Sequence, residues 1–350
     1  MSVVWEHGFH ALRVLRIVQE TIDTRTYVFA VPDNLRDLFA YRPGQYCTVR
    51  VRVDGEEALR CYSMSSAPHV DVDLAVTVKR VPGGVVSNWL HDHVSVGDTL
   101  ELLKPAGTFC LDDTDDQPII GFCGGSGVTP VFSILKHALV NTQRSVTLLV
   151  AHRDRASIIF HQALQQLSTQ YPDRFVVQYH LDDESGFVDP AAVLSLLKHS
   201  KTAKMLICGP TPFMNLVELA LTSAGVDSGR IAIERFVAGG VAGVVAAGVA
   251  TNKAGDDVTE TLTIVLKGKK TIVAYTPGDT VLDAARRSGL KPPFSCELGN
   301  CASCMALVTS GAATMRANNA LTPDEVSEGW VLTCQALPKG QTVSVEYENL

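Results

Sequence analysis

The chain has 350 residues, of which 46% are hydrophobic and 19% are charged, and its formal net charge is −7. This length allows two or three domains with buried cores, and the acidic balance without a long basic run argues against a nucleic-acid partner. No stretch reaches the roughly 20 apolar residues of a membrane helix, and residues 1–20 lack the apolar core of a signal peptide. The odd count of nine cysteines fits a reducing cytoplasm better than a disulfide scaffold.

Residues 1–113 are predicted to form a small antiparallel β-barrel. Apolar, β-branched runs follow at close spacing in "TYVFAV", "GQYCTVRVRV", "LAVTVKRV" and "DTLELLKP", a pattern typical of barrels. "RCYSMSS" lies at a strand end, and its tyrosine taken alone is more often a packing residue. "GGVVSNWL" begins a helix, and a glycine turn running into a helix N-terminus can hold a phosphate. This cradle comprises Gly84, Val85, Val86 and Ser87.

Residues 114–236 alternate strands and helices, which predicts a doubly wound α/β domain with a parallel sheet. The strands are "PIIGFCGG", "SVTLLVAHR", "FVVQYHL" and "AKMLICGP", and the helices between them are "PVFSILKHAL", "IIFHQALQQLS" and "FMNLVELALTSA".

A glycine-rich turn follows the first of these strands. Gly124, Gly125 and Gly127 would let a dinucleotide pyrophosphate approach the next helix, where Thr129 is expected to act as the cap. The turn lacks the G-x-G-x-x-G fingerprint, so alone it is a weak signal for a nucleotide. Cys208, at the end of a later strand, is by itself more often a small buried hydrophobe than a functional residue.

Residues 237–258 are rich in Gly, Ala and Val without a helical period, which predicts an inter-domain linker. From residue 259 to 350, "TLTIVLKGKKTIVAY" predicts a hairpin, "TVLDAARRSG" a short helix and "TVSVEYE" a strand. These elements predict an α+β domain.

Four cysteines in this last segment have metal-ligand spacing. Cys296, Cys301 and Cys304 are separated by four and two residues, and Cys334 follows farther along the chain. This is the plant-type [2Fe–2S] spacing. Gly299 supplies backbone freedom for three thiolates to wrap two irons. Structural zinc sites usually pair two closely spaced couples, and Cys334 has no close second partner.

The barrel motifs together resemble the ferredoxin–NADP reductase superfamily. The resemblance implies that Tyr62 stacks on a flavin, that Ser63 hydrogen-bonds near its reactive edge and that Arg60 neutralises the pyrophosphate. FAD is favoured over FMN. Further cofactor-binding positions carried over from "AVTVKR" and the glycine-turn domain are Val76, Val78, Lys79, Thr129 and Met214.

"ICGPTPFM" is similar to the nicotinamide platform of the same superfamily. The resemblance implies that Cys208 lies near the hydride-transfer point and that Gly209 and Pro210 shape the pocket. Phe236, in "IERF", would cover the flavin face opposite Tyr62. The catalytic set is thus Tyr62, Ser63, Cys208 and Phe236.

In domain order the chain resembles the reductase components of multicomponent oxygenases, with a C-terminal β-grasp ferredoxin. The resemblance implies electron transfer from NADH through FAD and one [2Fe–2S] cluster to a terminal oxygenase. Its motifs are most similar to the group serving steroid 9α-hydroxylases, whose terminal component is a Rieske protein. The alternatives are a diiron oxygenase, an acyl-CoA desaturase, a phenylacetyl-CoA epoxidase or a stand-alone reductase.

The choice between NADH and NADPH depends on the loop "AHRDRAS", which follows the second strand of the glycine-turn domain. An acidic residue there favours a free ribose 2′-hydroxyl, and arginine favours a 2′-phosphate. Asp154 lies between Arg153 and Arg155. Both nucleotides therefore remain open.

Overall fold

The computed structural model describes residues 8–111, 115–200, 202–236, 259, 261–294, 297, 299, 302–318 and 320–347. The chain divides into two compact units, one formed by residues 1–10, 48–61 and 238–350 and the other by residues 11–47 and 62–237. Among the described residues, no helix has the length and apolar character needed to cross a membrane.

The first sheet has six strands within the described residues and carries the barrel motifs. Its order is β4-β3-β6-β1-β2-β5, and β2 pairs antiparallel with both β1 and β5. The strands are β1 (His10–Thr21), β2 (Thr24–Ala30), β3 (Tyr46–Val53), β4 (Glu56–Ser63), β5 (Leu74–Lys79) and β6 (Thr99–Leu102), and helix α1 (Val85–His93) follows β5.

Strand β1 was not predicted from the sequence. Leu12 and Val14 are buried, but the register shifts between Val14 and Arg16. A bulge of this kind breaks the two-residue alternation by which a strand is recognised.

The second sheet is parallel, with order β11-β10-β7-β8-β9 in the described part of the chain, and confirms the predicted doubly wound domain. The strands are β7 (Ile119–Gly124), β8 (Val146–His152), β9 (Phe175–Leu181), β10 (Lys204–Cys208) and β11 (Ile231–Glu234); the helices are α2 (Val128–Asn141), α3 (His161–Gln170), α4 (Asp182–Ser185), α5 (Pro190–Ser195) and α6 (Thr211–Ser223). Apolar clusters cover both faces. The order runs outward in opposite directions from β7 and β10, so the ligand crevice is expected at their carboxyl ends.

The third sheet is mixed, with order β13-β12-β16-β14-β15; β12 and β16 are parallel, and the remaining neighbours are antiparallel. The elements are β12 (Thr261–Leu266), β13 (Lys269–Val273), α7 (Val281–Arg287), β14 (Met305–Met315), α8 (Pro323–Ser327), β15 (Trp330–Leu332) and β16 (Ala336–Glu346). The predicted hairpin, helix and final strand are confirmed. Strand β14 was not predicted, because its register shifts around Ser310 interrupt the alternation.

Candidate functional site

The end of β4 and the middle of β5 provide the predicted flavin-binding positions. Ser63 is only 3% exposed, and its hydroxyl has no hydrogen-bond partner among the described residues. Val76 and Val78 are fully buried, and the Val78 carbonyl lies 2.9 Å from Nε2 of His91. A buried hydroxyl without a partner costs free energy, so Ser63 fits a site that a bound group completes.

The turn before α1 forms the predicted phosphate cradle. Gly84 precedes the helix, and a Cβ there would lie 2.6 Å from Oγ of Ser87. That hydroxyl accepts a hydrogen bond from the backbone N–H of Val81 at 3.2 Å, which folds the turn back on itself. The N–H groups of Val85, Val86 and Ser87 belong to the first helical turn and have no intrahelical acceptor. The cradle therefore fits the pyrophosphate of a flavin dinucleotide.

Arg60 and Tyr62 both lie on β4, two residues apart, and so share one face of the strand. The Arg60 guanidinium donates a hydrogen bond to the carbonyl of Leu59 at 2.7 Å, and Tyr62 is partly exposed. Their roles toward the flavin stay predictions.

The glycine turn after β7 packs directly against the turn after β10. A Cβ on Gly127 would lie 2.6 Å from the nitrogen of Gly209 and closer still to the Cys208 carbonyl. A Cβ on Gly209 would lie 2.9 Å from the Gly124 nitrogen, and one on Gly124 would lie 2.8 Å from Cδ of Pro210. These three glycines are therefore required by backbone packing at the crevice, in addition to any approach of a pyrophosphate.

Gly125 is different, because it has a positive φ of +53° and its nearest neighbour is a cation. A Cβ there would lie 3.8 Å from Nζ of Lys79, which ends β5. The end of β5 and the glycine turn thus form one site, in which an ammonium group lies beside a helix N-terminus.

The prediction that Thr129 caps α2 is wrong. The cap residue is Gly127, with no side-chain cap hydrogen bond, because a tight turn follows β7 and the helix already begins at Val128. The Thr129 hydroxyl instead donates to the carbonyl of Ser126 at 2.9 Å. Thr129 thereby stabilises the glycine turn from inside the helix.

At the end of β10, Cys208 lies in register with Cys123 on one side and Glu234 on the other. Burial raises the pKa of Cys208 well above its usual value, so this group is a thiol. Burial also raises the pKa of Glu234 to about 7. Met214 is fully buried, and Phe236 is 37% exposed two residues beyond β11. The sequence indicates no definite role for Glu234, because its register with Cys208 is a tertiary feature.

A charged cleft of about 400 Å³ lies beside the glycine turn. Its lining residues are Asp23, Lys79, Arg80, Val81, Pro82, Asn88 and Arg153. An Asp23 carboxylate oxygen lies 3.2 Å from Nη2 of Arg153 and 3.9 Å from Nζ of Lys79. Nearby, His152 is 4% exposed, and burial is the main cause that lowers its pKa to about 4. Asp23 and His152 were not predicted from the sequence, because a turn aspartate and a strand-end histidine carry no local signal.

Two of the predicted cluster ligands, Cys304 and Cys334, are described and buried; Cys296 and Cys301 lie outside the described residues. Thr333 holds the two segments together, since its N–H and hydroxyl both donate to the Cys304 carbonyl, at 3.0 and 2.8 Å. The hydroxyl of Tyr347 donates to Thr333 Oγ1 at 2.8 Å. A buried hydrogen-bond network therefore fixes Cys304 relative to Cys334.

The loop between α7 and β14 contains positive φ angles at Glu297 (+55°), Gly299 (+76°) and Ala302 (+53°). A Cβ on Gly299 would lie 2.7 Å from the Ala317 carbonyl, so this position requires glycine. Left-handed conformations at non-glycine residues are unusual and often occur at functional sites. Sulfur donors together with a tightly curled loop fit an iron–sulfur cluster.

A line of polar side chains connects the cluster loop to β4. Ser303, which precedes Cys304 and is 1% exposed, donates to Oγ1 of Thr48 at 3.4 Å. Thr48 Oγ1 in turn lies 3.4 Å from Sγ of Cys61, and Cys61 precedes Tyr62 in the chain. These three residues belong to one compact unit, and their contacts join the segment before Cys304 to strands β3 and β4.

Three family models match the chain. They are an oxidoreductase FAD-binding domain over residues 11–110, an oxidoreductase NAD-binding domain over residues 122–218 and a 2Fe-2S iron-sulfur cluster binding domain over residues 264–339. These matches agree with the cradle, the glycine turn and the cysteine loop.

Two relatives match this chain over nearly the whole length of both proteins. The ferredoxin reductase component of 3-ketosteroid-9-alpha-monooxygenase from Rhodococcus rhodochrous is 37% identical over 97% of this chain and 98% of its own length. One subunit of the 1,2-phenylacetyl-CoA epoxidase from Escherichia coli is 34% identical over 97% of this chain and 98% of its own length. The solved structure of phthalate dioxygenase reductase shares the fold, with a TM-score of 0.57, 23% identity and coverage of 97% of this chain and 98% of that chain. The chain therefore belongs to the family of oxygenase reductase components that join an FAD-binding domain, an NAD-binding domain and a 2Fe-2S cluster-binding domain.

Proposed function

We propose that this protein passes electrons from NADH, through FAD and one [2Fe–2S] cluster, to the terminal oxygenase of a steroid 9α-monooxygenase. The observation that carries the electron route is the junction of β7 and β10, where the glycine turn, Cys208 and Lys79 meet in one crevice. The steroid system is supported by 37% identity over 97% of the chain.

The chain's own residues explain how the site is organised. When bound, FAD would accept a hydride from reduced nicotinamide, and the cluster would carry single electrons. Gly127 and Gly209 keep the two turns in contact, which fixes the crevice. Cys208 is held neutral by burial, so it would adjoin a bound nicotinamide as an uncharged thiol. Ser63 would offer its unsatisfied hydroxyl to a bound flavin.

We also infer the domain boundaries from the family-model ranges and a cytoplasmic location from the cysteine count. A flavin barrel over residues 1–113, a nucleotide domain over 114–236, a linker over 237–258 and a ferredoxin domain over 259–350 are supported by the ranges of the three family models. The odd number of nine cysteines supports a reducing cytoplasm.

An anaerobic titration with NADH tests the electron route. In the purified protein we expect flavin absorbance near 450 nm to bleach and a reduced [2Fe–2S] signal to follow by electron paramagnetic resonance. Cys304→Ser should retain the bleaching and lose the signal, whereas the control Cys110→Ser, which changes a thiol outside the four predicted ligands, should keep both. Bleaching without any cluster signal in the unaltered protein would contradict the route.

The partner is tested separately by reconstitution. Purified terminal oxygenase of a steroid 9α-monooxygenase, supplied with NADH and this protein, should hydroxylate its steroid. Turnover only with the oxygenase subunits of a phenylacetyl-CoA epoxidase would replace the steroid assignment by the other relative and leave the electron route intact.

A further inference from the structure

NADH and NADPH differ only by a phosphate on the 2′ position of the adenosine ribose, and the fold shows where that position lies. A nucleotide with its nicotinamide at the turn after β10 and its pyrophosphate at the glycine turn after β7 extends toward β8, the next strand in the sheet. The residues that follow β8, from Arg153 to Ser157, would therefore face the ribose of a nucleotide bound in this way.

Two of the three charged residues in this loop are already engaged elsewhere. The Asp154 carboxylate accepts a hydrogen bond from the N–H of Ser157 at 2.8 Å, and the Ser157 hydroxyl donates to the Asp154 carbonyl at 2.8 Å. Arg155 lies 3.7 Å from Glu184. Of these three charged residues, only Arg153 lines the charged cleft.

Arg153 is paired with a carboxylate from a distant part of the chain. Asp23 lies in the turn between β1 and β2, and its Oδ2 is 3.2 Å from Nη2 of Arg153. Its other oxygen accepts hydrogen bonds from the hydroxyls of Thr21 at 2.8 Å and Thr24 at 3.1 Å. One oxygen is thus anchored by its own turn, and the other faces Arg153 and the ammonium of Lys79.

The carboxylate is held in its charged form. Burial alone would raise the pKa of Asp23, but the hydroxyls of Thr21 and Thr24 and the charges of Lys79 and Arg153 outweigh it and lower the pKa. A negative charge therefore remains in the cleft at neutral pH. Without it, Lys79 and Arg153 would form a pair of cations suited to bind phosphate.

We propose that Asp23 makes the protein selective for NADH. Its carboxylate occupies Arg153 and repels a 2′-phosphate, whereas an uncharged 2′-hydroxyl experiences neither effect. The selectivity would thus come from the β1–β2 turn, and the acidic residue in the nucleotide loop itself, Asp154, would serve as a cap. This inference rests on the proposed use of NADH as electron donor.

The test compares two ligands that differ only by the 2′-phosphate, 5′-AMP and 2′,5′-ADP (adenosine 2′,5′-bisphosphate), by calorimetric titration of the FAD-loaded full chain. In Asp23→Asn, which keeps an oxygen for Thr21 and Thr24, affinity for 2′,5′-ADP should rise by roughly tenfold, and affinity for 5′-AMP should stay within about twofold. Asp23→Glu should restore the original preference. The control Asp33→Asn removes an equal charge from a residue that does not line the cleft and should change neither affinity.

Two outcomes would overturn the proposal. An unchanged ratio of the two affinities in Asp23→Asn would show that the carboxylate does not sense the phosphate. An equal loss of both affinities would show that Asp23 only holds the cleft in shape. Bleaching of the flavin by NADH, measured in the same preparations, distinguishes these results from a failure of the proposed donor, since it depends on hydride delivery and the binding ratio does not.

Discussion

Replacing Ser63 by alanine should have opposite effects on the cofactor-free protein and on flavin binding. The Ser63 hydroxyl is buried without a hydrogen-bond partner among the described residues. An unsatisfied buried hydroxyl costs about 1–3 kcal/mol. Removing it should therefore increase the free energy of unfolding of the cofactor-free protein, by about 1 kcal/mol if the site relaxes partly.

The same change should weaken FAD binding. In the original protein, a bound flavin that hydrogen-bonds Ser63 recovers this cost, whereas in Ser63→Ala there is nothing to recover. A loss of about 1–2 kcal/mol corresponds to a dissociation constant roughly 5–30 times higher. Urea unfolding of the FAD-depleted protein measures the first effect, and a fluorescence titration with FAD measures the second.

Ser65 provides the matched control, because it is equally buried but already satisfied. Its hydroxyl accepts a hydrogen bond from Thr77 at 2.7 Å. Ser65→Ala leaves that donor with one partner fewer and should destabilise the cofactor-free protein by about 1 kcal/mol. If Ser63→Ala also destabilised the cofactor-free protein, or left FAD affinity unchanged, the reasoning about the unsatisfied hydroxyl would be refuted.

Three further predictions concern the crevice and the cluster loop. Burial raises the pKa of Glu234 from 4.5 to about 7, so the folded protein should lose stability as pH rises from about 4.5 through about 7. Glu234→Gln should abolish this loss, which is at most about 3 kcal/mol. Identical urea midpoints of the two proteins at pH 5 and at pH 8 would count against the prediction. In Gly127→Ala the added methyl group would overlap the Cys208 carbonyl. The substitution should cost about 1–3 kcal/mol of stability and raise the NADH dissociation constant. Normal thermal unfolding together with normal NADH affinity would show that the turns can separate freely. Thr48→Val removes the hydroxyl between Ser303 and Cys61. Stopped-flow absorbance should show slower cluster reduction at an unchanged rate of flavin reduction. Equal rates of cluster reduction in the variant and the original protein would exclude a role for this contact.

Much of the architecture could be predicted from local patterns. Strand–helix alternation in residues 114–236 and the spacing of Cys296, Cys301 and Cys304 depend on neighbours within a few residues, so the sequence alone carries them. The glycine turn and the cradle at Gly84 are likewise local patterns that the sequence alone indicates. Strands β1 and β14 were missed because bulges interrupt their alternation. The cap at Thr129 was wrong because α2 already begins at Val128, directly after the turn formed by Gly125–Gly127.

The domain types and the cofactor classes thus follow from the amino-acid sequence. How individual residues act on one another depends on the tertiary fold. Asp23 and Arg153 are 130 residues apart, and Ser303 and Thr48 are 255 residues apart, so no local pattern relates them. Burial, which shifts the pKa of Glu234 and leaves the Ser63 hydroxyl unsatisfied, depends on what surrounds a group in three dimensions, because desolvation is set by neighbours in space and not along the chain.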